Sequence, residues 1–274
     1  MNIEKIKKQK SIKELLEFSI INIDKPSGPT SFKVDDYLRK ELGLRKTTHF
    51  GTLDPKVTGV LPIALNRASR LQQYFMHKNK SYIGIMRIHK EIDMGDLKKE
   101  LSKFTGKIIQ KPPVKSRVKR QEREREIFTF KILEQDGRDF LFETEVQAGT
   151  YIRKLIHDLG KNIDGAHMLE LRRTKASIFD EKDSVNLYKF KEAVEEYKKG
   201  SEEKLREILI PAEIISEILP VVQVKKDALD KLYNGSPIHK EMIKGEFGEG
   251  MVAVFSKEVF IGIYEANKPK FVLN

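Results

Sequence analysis

A β-hairpin pattern in the middle of the chain restricts the fold more than any other feature of the sequence. Apolar residues alternate with polar ones on both sides of the dipeptide Asp136-Gly137, which favours a tight turn. The alternating residues are Phe128, Phe130 and Ile132 before the turn and Phe140, Phe142 and Val146 after it. A period of two residues is that of a strand with one buried face. The sequence therefore predicts two antiparallel strands here, and with them a fold that contains sheet.

Segments of strand length and of helix length alternate from residue 19 to residue 219, whereas residues 220–274 hold short β runs separated by Gly and Asn turns. We therefore predict an α+β fold with two domains, a large one at residues 19–219 and a small β-rich one at residues 220–274. Residues 1–18 are basic and helix-prone, and we interpret them as an N-terminal extension.

Lysine and arginine outnumber aspartate and glutamate by 52 to 41, which gives the 274 residues a formal net charge of +11. Such an excess is typical of proteins that bind a polyanion, most often nucleic acid and less often an anionic membrane. Residues 111–125 contain 7 basic and 2 acidic residues, so that 7 − 2 = +5 of the excess lies there. This density favours contact with a nucleic-acid backbone, although charge runs in general more often form a solvated face. The candidates in the run are Lys115, Arg117, Lys119 and Arg120.

The absence of cysteine excludes disulfides, thiolate metal sites and cysteine nucleophiles, and it fits a reducing interior. No apolar run approaches the roughly 20 residues of a membrane helix, and the charged N-terminus lacks the apolar centre of a signal peptide. We therefore expect a cytoplasmic protein with no membrane partner. The chain also lacks a P-loop, a dinucleotide fingerprint of the correct spacing and a G-x-S-x-G motif, which argues against those enzyme classes.

The most informative stretch surrounds Asp54, where Gly, Pro and hydroxyl residues separate two apolar segments. A stiff loop of this kind favours either a carboxylate directed into a cleft or an Asx turn, in which the carboxylate bonds backbone N–H groups. His49, just before it, is compatible with a core histidine, a metal ligand or a wedge into a nucleic acid. Because the 6 histidines show no metal-motif spacing, we predict that the protein holds no metal.

Arg153 lies beside the apolar face of a helix predicted at residues 150–161, with Thr150 as its cap. In that place it is either a solvated surface residue or a guanidinium that reaches a buried carboxylate. Tyr82 follows Lys80 at the start of a predicted strand, where aromatic residues more often belong to the core than to a site.

Five segments, taken in order, resemble the motifs of the TruB/dyskerin family of pseudouridine synthases. They are Asp24–Ser31, His49–Pro62, Lys80–Tyr82, Gly149–Leu155 and Leu171–Thr174. Each segment is weak evidence by itself, but five in the family's order over most of the chain make the resemblance specific. It implies the pseudouridine synthase fold, in which helices flank a central mixed or antiparallel sheet. It also implies isomerisation of uridine to pseudouridine in RNA, without a cofactor or a metal.

The resemblance implies roles for individual residues. Asp54 corresponds to the catalytic aspartate, Arg153 to its arginine partner, and Tyr82 to the tyrosine that stacks on the target base. His49 is placed to fill the space that the extruded base leaves, and Leu171 is a candidate for the pocket floor.

Lys80, of the same motif as Tyr82, is a further candidate for contact with RNA. We expect the pair of Asp54 and Arg153 to be buried, so that Arg153→Ala damages folding as well as activity. The sequence leaves open whether Asp54 attacks the base, attacks the sugar or abstracts a sugar proton.

Pro112–Arg120 and Gly165–Met168 resemble the archaeal and eukaryotic dyskerin branch more than bacterial TruB. That branch implies that residues 220–274 form a PUA domain, short for the branch, that binds an H/ACA guide RNA, and that residues 1–18 pack on this domain. It also implies three protein partners: a small zinc-ribbon-like protein, a Gar-type β-barrel protein and a kink-turn-binding ribosomal-type protein. Since the long Lys/Glu tails of the eukaryotic proteins are absent, we expect an archaeal-type cell. The branch also implies a catalytic subunit of an H/ACA ribonucleoprotein that acts on rRNA, with tRNA as a second candidate substrate.

Other interpretations remain. A stand-alone tRNA pseudouridine synthase would modify bare tRNA, and an inactive RNA-binding scaffold would keep only the fold, which the presence of Asp54, Tyr82 and Arg153 argues against. The charge alone equally supports a basic translation-associated protein. The chain departs from the family at Ser177 and Ile178, where a Gly followed by Pro or a similar residue is usual, and this departure puts the local turn in question.

Overall fold

The computed structural model describes residues 1–112, 118–245, 247 and 250–273. Within these ranges, eleven strands form one sheet at the centre of the molecule. They are β1 (Ser19–Lys25), β2 (Thr47–His49), β3 (Thr58–Leu65), β4 (Lys80–Ile88), β5 (Gly106–Gln110), β6 (Arg123–Asp136), β7 (Asp139–Val146), β8 (Ala166–Ala176), β9 (Phe179–Asp180), β10 (Val185–Asn186) and β11 (Ile210–Pro211). The main order is β10-β1-β3-β8-β4-β7-β6-β5, with β11 beside β1, β2 beside β3 and β9 beside β8. The β1–β10 and β3–β8 pairs are parallel, whereas the other pairs described are antiparallel, so the sheet is mixed.

The predicted hairpin is formed by β6 and β7, which join at the Asp-Gly turn as expected. Its inward residues differ from the prediction at one point. The strand register shifts between Ile127 and Thr129, and this bulge buries Ile127 completely while it leaves Phe128 exposed at 38%. A bulge adds one residue to one strand, so the residues on one side of it point to the opposite face from the one that simple alternation predicts.

Most of the helices described by the structure lie around this sheet, and the last one packs against the C-terminal sheet described below. They are α1 (Ile3–Gln9), α2 (Ile12–Glu17), α3 (Ser31–Glu41), α4 (Gln72–Met76), α5 (Met94–Ser102), α6 (Ile152–Asn162), α7 (Leu187–Lys198), α8 (Glu203–Ile208) and α9 (Leu229–Tyr233). The four longest, α3, α5, α6 and α7, bury apolar side chains in one core with the strands of the sheet. The predicted α+β fold with a mixed central sheet is confirmed. None of the described helices combines the length and the apolar content of a membrane span.

Helix α3 illustrates how local signals position the site. The sequence predicts a cap at Thr30 or Ser31. The Thr30 hydroxyl takes this role, since it accepts a hydrogen bond from the backbone N–H of Lys33. Val34 and Leu38 face the core. The sequence predicts an apolar side of this helix formed by Phe32, Tyr37, Leu38 and Leu42, but Phe32 is 70% exposed.

A second sheet follows in the C-terminal part of the chain. Its strands are β12 (Val221–Val224), β13 (Ile243–Lys244), β14 (Met251–Ser256), β15 (Val259–Glu265) and β16 (Lys268–Val272), in the order β13-β12-β14-β15-β16. An apolar cluster that contains Ile20 and Val60 from the large sheet and Phe255 and Phe260 from the small one joins the two sheets. The domain boundary near residue 220 stays a prediction.

The N-terminal segment contacts the C-terminal sheet directly. The ring of Phe18 stacks on Phe260 with 5.4 Å between centroids, and Lys5 forms an ion pair of 2.8 Å with Glu258. Lys10 binds the buried Glu213 at 2.5 Å. These contacts fix both helices of residues 1–18 to the body of the protein. That these residues serve as an extension of the C-terminal domain in particular stays a prediction.

The turn in question after β8 does form, and Ser177 adopts a φ of +60° in it. This left-handed conformation suits glycine, because a side chain there crowds the backbone. The chain therefore keeps a glycine-type turn with a serine in it.

Candidate active site

Asp54 lies in a loop between β2 and β3, here called the Asp54 loop (residues 50–57). Phe50, Leu53 and Val57 are buried, whereas Asp54 is directed outward and its side chain is 53% exposed. The Phe50 ring stacks on Phe75, with 4.9 Å between centroids and 3° between planes. Buried apolar side chains thus anchor the loop at both ends and in the middle, and the carboxylate projects from a fixed backbone.

Residues at the start of α3 tie this loop to the helix. The Ser31 hydroxyl accepts a hydrogen bond from the N–H of Leu53 at 2.8 Å and donates one to its carbonyl oxygen at 3.0 Å. The N–H of Gly28 donates to the carbonyl oxygen of Pro55 at 2.9 Å. Gly28 has a φ of +112°, which a residue with a side chain rarely adopts.

A buried lysine lies beneath the loop. Lys25 is fully buried, and its Nζ donates hydrogen bonds to the carbonyl oxygens of Pro26, Pro55 and Val57 at 2.8, 3.0 and 2.8 Å. Burial lowers the pKa of the Lys25 ammonium, and the charge of Asp54 opposes this shift. Two of the three donors of one ammonium group thus hold the backbone that follows the carboxylate, and the third binds Pro26 just after the end of β1.

A buried arginine holds the other part of the loop. Arg173 on β8 is 1% exposed, and its guanidinium donates to the carbonyl oxygens of Val60 at 2.7 Å and Gly51 at 3.0 Å. Burial lowers the pKa of the Arg173 guanidinium, and the nearby Tyr82 hydroxyl acts in the opposite sense. The strands pack so closely here that a Cβ on Gly59 would lie 2.2 Å from the Arg173 carbonyl oxygen, so only glycine fits.

Asp54 and Arg153 are brought together, as the resemblance implied. Arg153 Nη1 lies 2.6 Å from Asp54 Oδ2. The expectation of a buried pair is wrong, because the Arg153 side chain is 57% exposed and that of Asp54 53%. Water screens such a pair, so its contribution to the free energy of unfolding is at most about 1 kcal/mol. The prediction that Arg153→Ala damages folding is therefore also wrong, because the exposed pair contributes little to stability.

The position of Arg153 follows from helix α6. The helix begins at Ile152, and Tyr151 rather than the predicted Thr150 is its N-cap. The side chain of Gln110 fixes this start, since it accepts from the N–H of Tyr151 at 3.0 Å and donates to its carbonyl oxygen at 3.2 Å. Arg153 lies next to the buried face of the helix and extends along the surface to the Asp54 loop.

His49 lies at the beginning of the loop with both ring nitrogens engaged. Nδ1 is 3.1 Å from the Asp35 carboxylate of α3, and Nε2 is 3.1 Å from the Thr52 hydroxyl. A carboxylate only accepts, so Nδ1 donates to Asp35. His49 is thereby held beside Asp54, and its role as a wedge in the RNA stays a prediction. In the described ranges no three His, Asp or Glu side chains form a metal-binding group.

Tyr82 and Leu171 lie on neighbouring strands in the same core as Leu53 and are 7% and 8% exposed. Their roles in base stacking and as pocket floor stay predictions. Lys80 is also buried, and its Nζ donates to the carbonyl oxygens of Met76 and Lys78, both at 2.6 Å. Burial, assisted by the charge of Arg173, lowers the pKa of Lys80 to about 8.

The interpretation of Lys80 as an RNA contact is therefore wrong for this conformation, because its ammonium faces the protein interior. Lys119 and Arg120 are exposed, as expected of a charge run. Lys115 and Arg117 lie outside the described residues, so their predicted RNA contacts stay predictions.

The sequence reasoning missed the residues that hold the loop from beneath, namely Lys25, Ser31 and Arg173. Arg172 points the other way from Arg173 and binds Asp24 with two hydrogen bonds, of 2.8 and 3.1 Å. The signal was the strand period, since two adjacent arginines on β8 must face opposite sides of the sheet. One of them therefore had to be buried.

Comparison with known proteins supports the resemblance. Residues 39–152 match the N-terminal domain of TruB family pseudouridylate synthase, and residues 153–216 match the tRNA pseudouridylate synthase B C-terminal domain. A probable tRNA pseudouridine synthase B of Methanopyrus kandleri is 42% identical over 267 residues, which cover 94% of this chain and 79% of that protein.

Two solved structures are also similar in fold. A chain in the crystal structure of a Cbf5-Nop10-Gar1 complex has a TM-score of 0.87 and 36% identity, and the match covers 96% of this chain and 82% of that one. A chain in the structure of an H/ACA RNP bound to a substrate RNA containing 2'-deoxyuridine has a TM-score of 0.86 and 35% identity, with 96% and 83% covered. The matches extend over nearly the whole chain at well above 30% identity, and the chain belongs to the TruB family of pseudouridine synthases.

Proposed function

We propose that Asp54 is the catalytic carboxylate of this RNA isomerase and that Arg153 orients it. The observation that carries the proposal is the 2.6 Å ion pair at the surface of a loop that the buried Phe50, Leu53 and Val57 anchor. A group held within a fraction of an ångström on a rigid backbone loses little freedom when substrate binds, which favours reaction. Tyr82 and Leu171, close below, form the apolar side of the same site in this proposal.

The reaction rearranges one nucleotide without gain or loss of atoms. The bond between N1 of uracil and C1′ of ribose breaks, the base turns, and a bond forms between C5 and C1′. The proton lost from C5 is balanced by the proton gained at N1. A carboxylate can serve such a sequence as nucleophile or as base. The base must leave its stack first, and His49 is positioned to occupy the vacated space.

For the biological role, we propose a catalytic subunit of an H/ACA-type particle, guided to uridines of rRNA and tRNA by a guide RNA. The support is that the similarity to chains in a Cbf5-Nop10-Gar1 complex and an H/ACA RNP spans 96% of this chain, including the C-terminal sheet. On this proposal, the C-terminal sheet acts as a PUA-like domain on the guide. The partners are a Nop10-type zinc-ribbon-like protein, a Gar1-type protein and a kink-turn-binding ribosomal-type protein.

A stand-alone tRNA pseudouridine synthase is the second candidate. It is favoured by the description of the sequence relatives, which are probable tRNA pseudouridine synthases of B type. The two candidates share the proposed site and differ in what presents the uridine.

Pseudouridine mapping on reconstituted mixtures tests the role. The full-length protein is incubated with bare tRNA, and separately with an H/ACA guide RNA, its matched target RNA and the three partner proteins. Pseudouridine only in the second mixture, at the position that the guide specifies, supports the guide-dependent role. Efficient modification of bare tRNA, with no response to the guide, would contradict it and favour the stand-alone enzyme. Product in neither mixture would contradict both roles and leave the scaffold interpretation.

A further inference from the structure

A large exposed aromatic residue lies next to the proposed catalytic loop, where the proposed function gives it no role. Phe32 is in the first turn of α3 and is 70% exposed. A single exposed apolar side chain is ordinary on a protein surface. The position of Phe32 is what gives its exposure significance.

Contacts of α3 show that Phe32 is close to Asp54. Its neighbour Ser31 makes both of its side-chain hydrogen bonds with the backbone of Leu53, the residue before Asp54. Asp35, one turn after Ser31, binds His49. Ser31 and Asp35 therefore mark the side of α3 that faces the site, and Phe32 lies in the adjacent row of the helix surface, about 100° around the axis.

Exposed cations lie on the segments next to this part of α3. Lys33 follows Phe32 in the chain and is exposed, and Lys56 is exposed two residues after Asp54. Arg153 adds a third cation at the surface. An exposed ring among cations is the arrangement that binds single-stranded nucleic acid, with phosphates at the cations and a base on the ring.

We propose that Phe32 stacks on an unpaired base of the substrate RNA, adjacent to the target uridine. The inference rests on the proposed role of Asp54, since it is the position of Asp54 that defines the target. Tyr82 differs from Phe32 in being 7% exposed, so the two rings serve different bases: the buried one the extruded uridine, and the exposed one its neighbour. The capped helix and the Ser31–Leu53 bonds hold Phe32 at a fixed distance from the carboxylate, so the ring sets the position of the strand.

Tyr188 provides a matched control. It is 86% exposed in the first turn of α7, which lies beside α3, as the contact of Tyr37 with Phe190 at 5.9 Å shows. Asn186 caps α7 as Thr30 caps α3. Tyr188 is thus an exposed aromatic residue in a similar helical setting, but none of its helix's first-turn residues is bonded to the Asp54 loop in the described structure. Both aromatic side chains are exposed, so their replacement should change stability little.

The test measures binding of a short single-stranded RNA that carries one central uridine and a 2-aminopurine on one side or the other. Stacking on an aromatic ring quenches the fluorescence of 2-aminopurine. The full-length wild type is compared with Phe32→Ala, Phe32→Leu, Phe32→Trp and Tyr188→Ala. The assay measures binding and needs no turnover. Its result therefore tests the role of Phe32 even if Asp54 is not the catalytic carboxylate.

We expect quenching at one of the two flanking positions, and its loss in Phe32→Ala together with an about 5- to 150-fold weaker affinity, the fold change that corresponds to one base stack. Phe32→Trp should restore quenching and affinity, whereas Tyr188→Ala should resemble the wild type. Equal binding and quenching in the wild type and Phe32→Ala would overturn the proposal. So would full affinity in Phe32→Leu, because an apolar contact without stacking would then be sufficient.

Discussion

The two sides of the Asp54 loop use their arginines in different ways. On the solvent side Arg153 binds a carboxylate, and both groups are more than half exposed. On the inner side Arg173 is buried and binds backbone carbonyl oxygens of Gly51 and Val60. The outer guanidinium can change partners when RNA arrives, whereas the inner one cannot move without loss of buried hydrogen bonds. The difference indicates that activity and stability depend on separate cations.

The largest effect on stability is expected from Arg173→Lys. Lysine keeps the charge but lacks the planar fork that reaches both carbonyl oxygens. We expect a loss of about 3–5 kcal/mol in the free energy of unfolding, because two charge-assisted hydrogen bonds are lost in a buried place. Chemical denaturation of the variant checks this. A change below about 1 kcal/mol would contradict the distinction between the inner and outer side.

The buried Lys80 makes the stability of the inner side depend on pH. Its pKa is about 8 in the folded protein and about 10.5 in the unfolded chain, so between these values the unfolded chain binds more protons. Stability from this group therefore rises as pH increases from about 8 to about 10.5, on the order of 3 kcal/mol in total. Denaturation at several pH values should show the advantage of wild type over Lys80→Met growing across this window. A difference in the free energy of unfolding that stays constant with pH would mean that burial does not lower the pKa of Lys80.

Arg153→Ala tests the outer side. We expect the free energy of unfolding to fall by at most about 1 kcal/mol, since the pair is exposed. Pseudouridine formation should nevertheless fall at least about 100-fold, because Asp54 loses the group that orients it. Denaturation and single-turnover assays on the same preparation separate the two effects. Substantial unfolding with little loss of turnover in the folded fraction would reverse the assignment.

The smallest effect is expected at the turn after β8. Ser177→Gly replaces a residue with a φ of +60° by one that tolerates it, and it removes a buried hydroxyl. Glycine also increases the freedom of the unfolded chain, which offsets part of the gain. We expect a stabilisation of up to about 1 kcal/mol by thermal denaturation. Destabilisation would show that the Ser177 side chain makes a favourable contribution there.

Much of the fold could be predicted because its signals are local. The cap of α3, the Asp-Gly turn and the alternation of apolar and polar residues along β7 are each contained in a few residues. The exceptions have physical causes. A bulge at Ile127 and Thr129 moved Phe128 outward, and Phe32 lies outside the rows of α3 that face the loop and the core.

The candidate site was predicted in part. The proximity of Asp54 and Arg153 came from resemblance, since their separation of 153 − 54 = 99 residues cannot be bridged by local patterns. The exposure of the two side chains could not be predicted, because it depends on how α6 packs relative to the Asp54 loop. Lys25 and Arg173 were missed because lysine and arginine are seldom fully buried, and only the tertiary structure shows the carbonyl oxygens that receive them.

The most direct test of the central claim is a single-turnover assay with Asp54→Asn, which keeps the shape of the side chain and removes its charge. It is run on the RNA that supports turnover by the wild type. RNA binding and thermal stability should stay close to wild type, because Asp54 is exposed, and pseudouridine should be undetectable. Formation of pseudouridine by this variant at a rate near that of the wild type would contradict the assignment of Asp54 as the catalytic carboxylate.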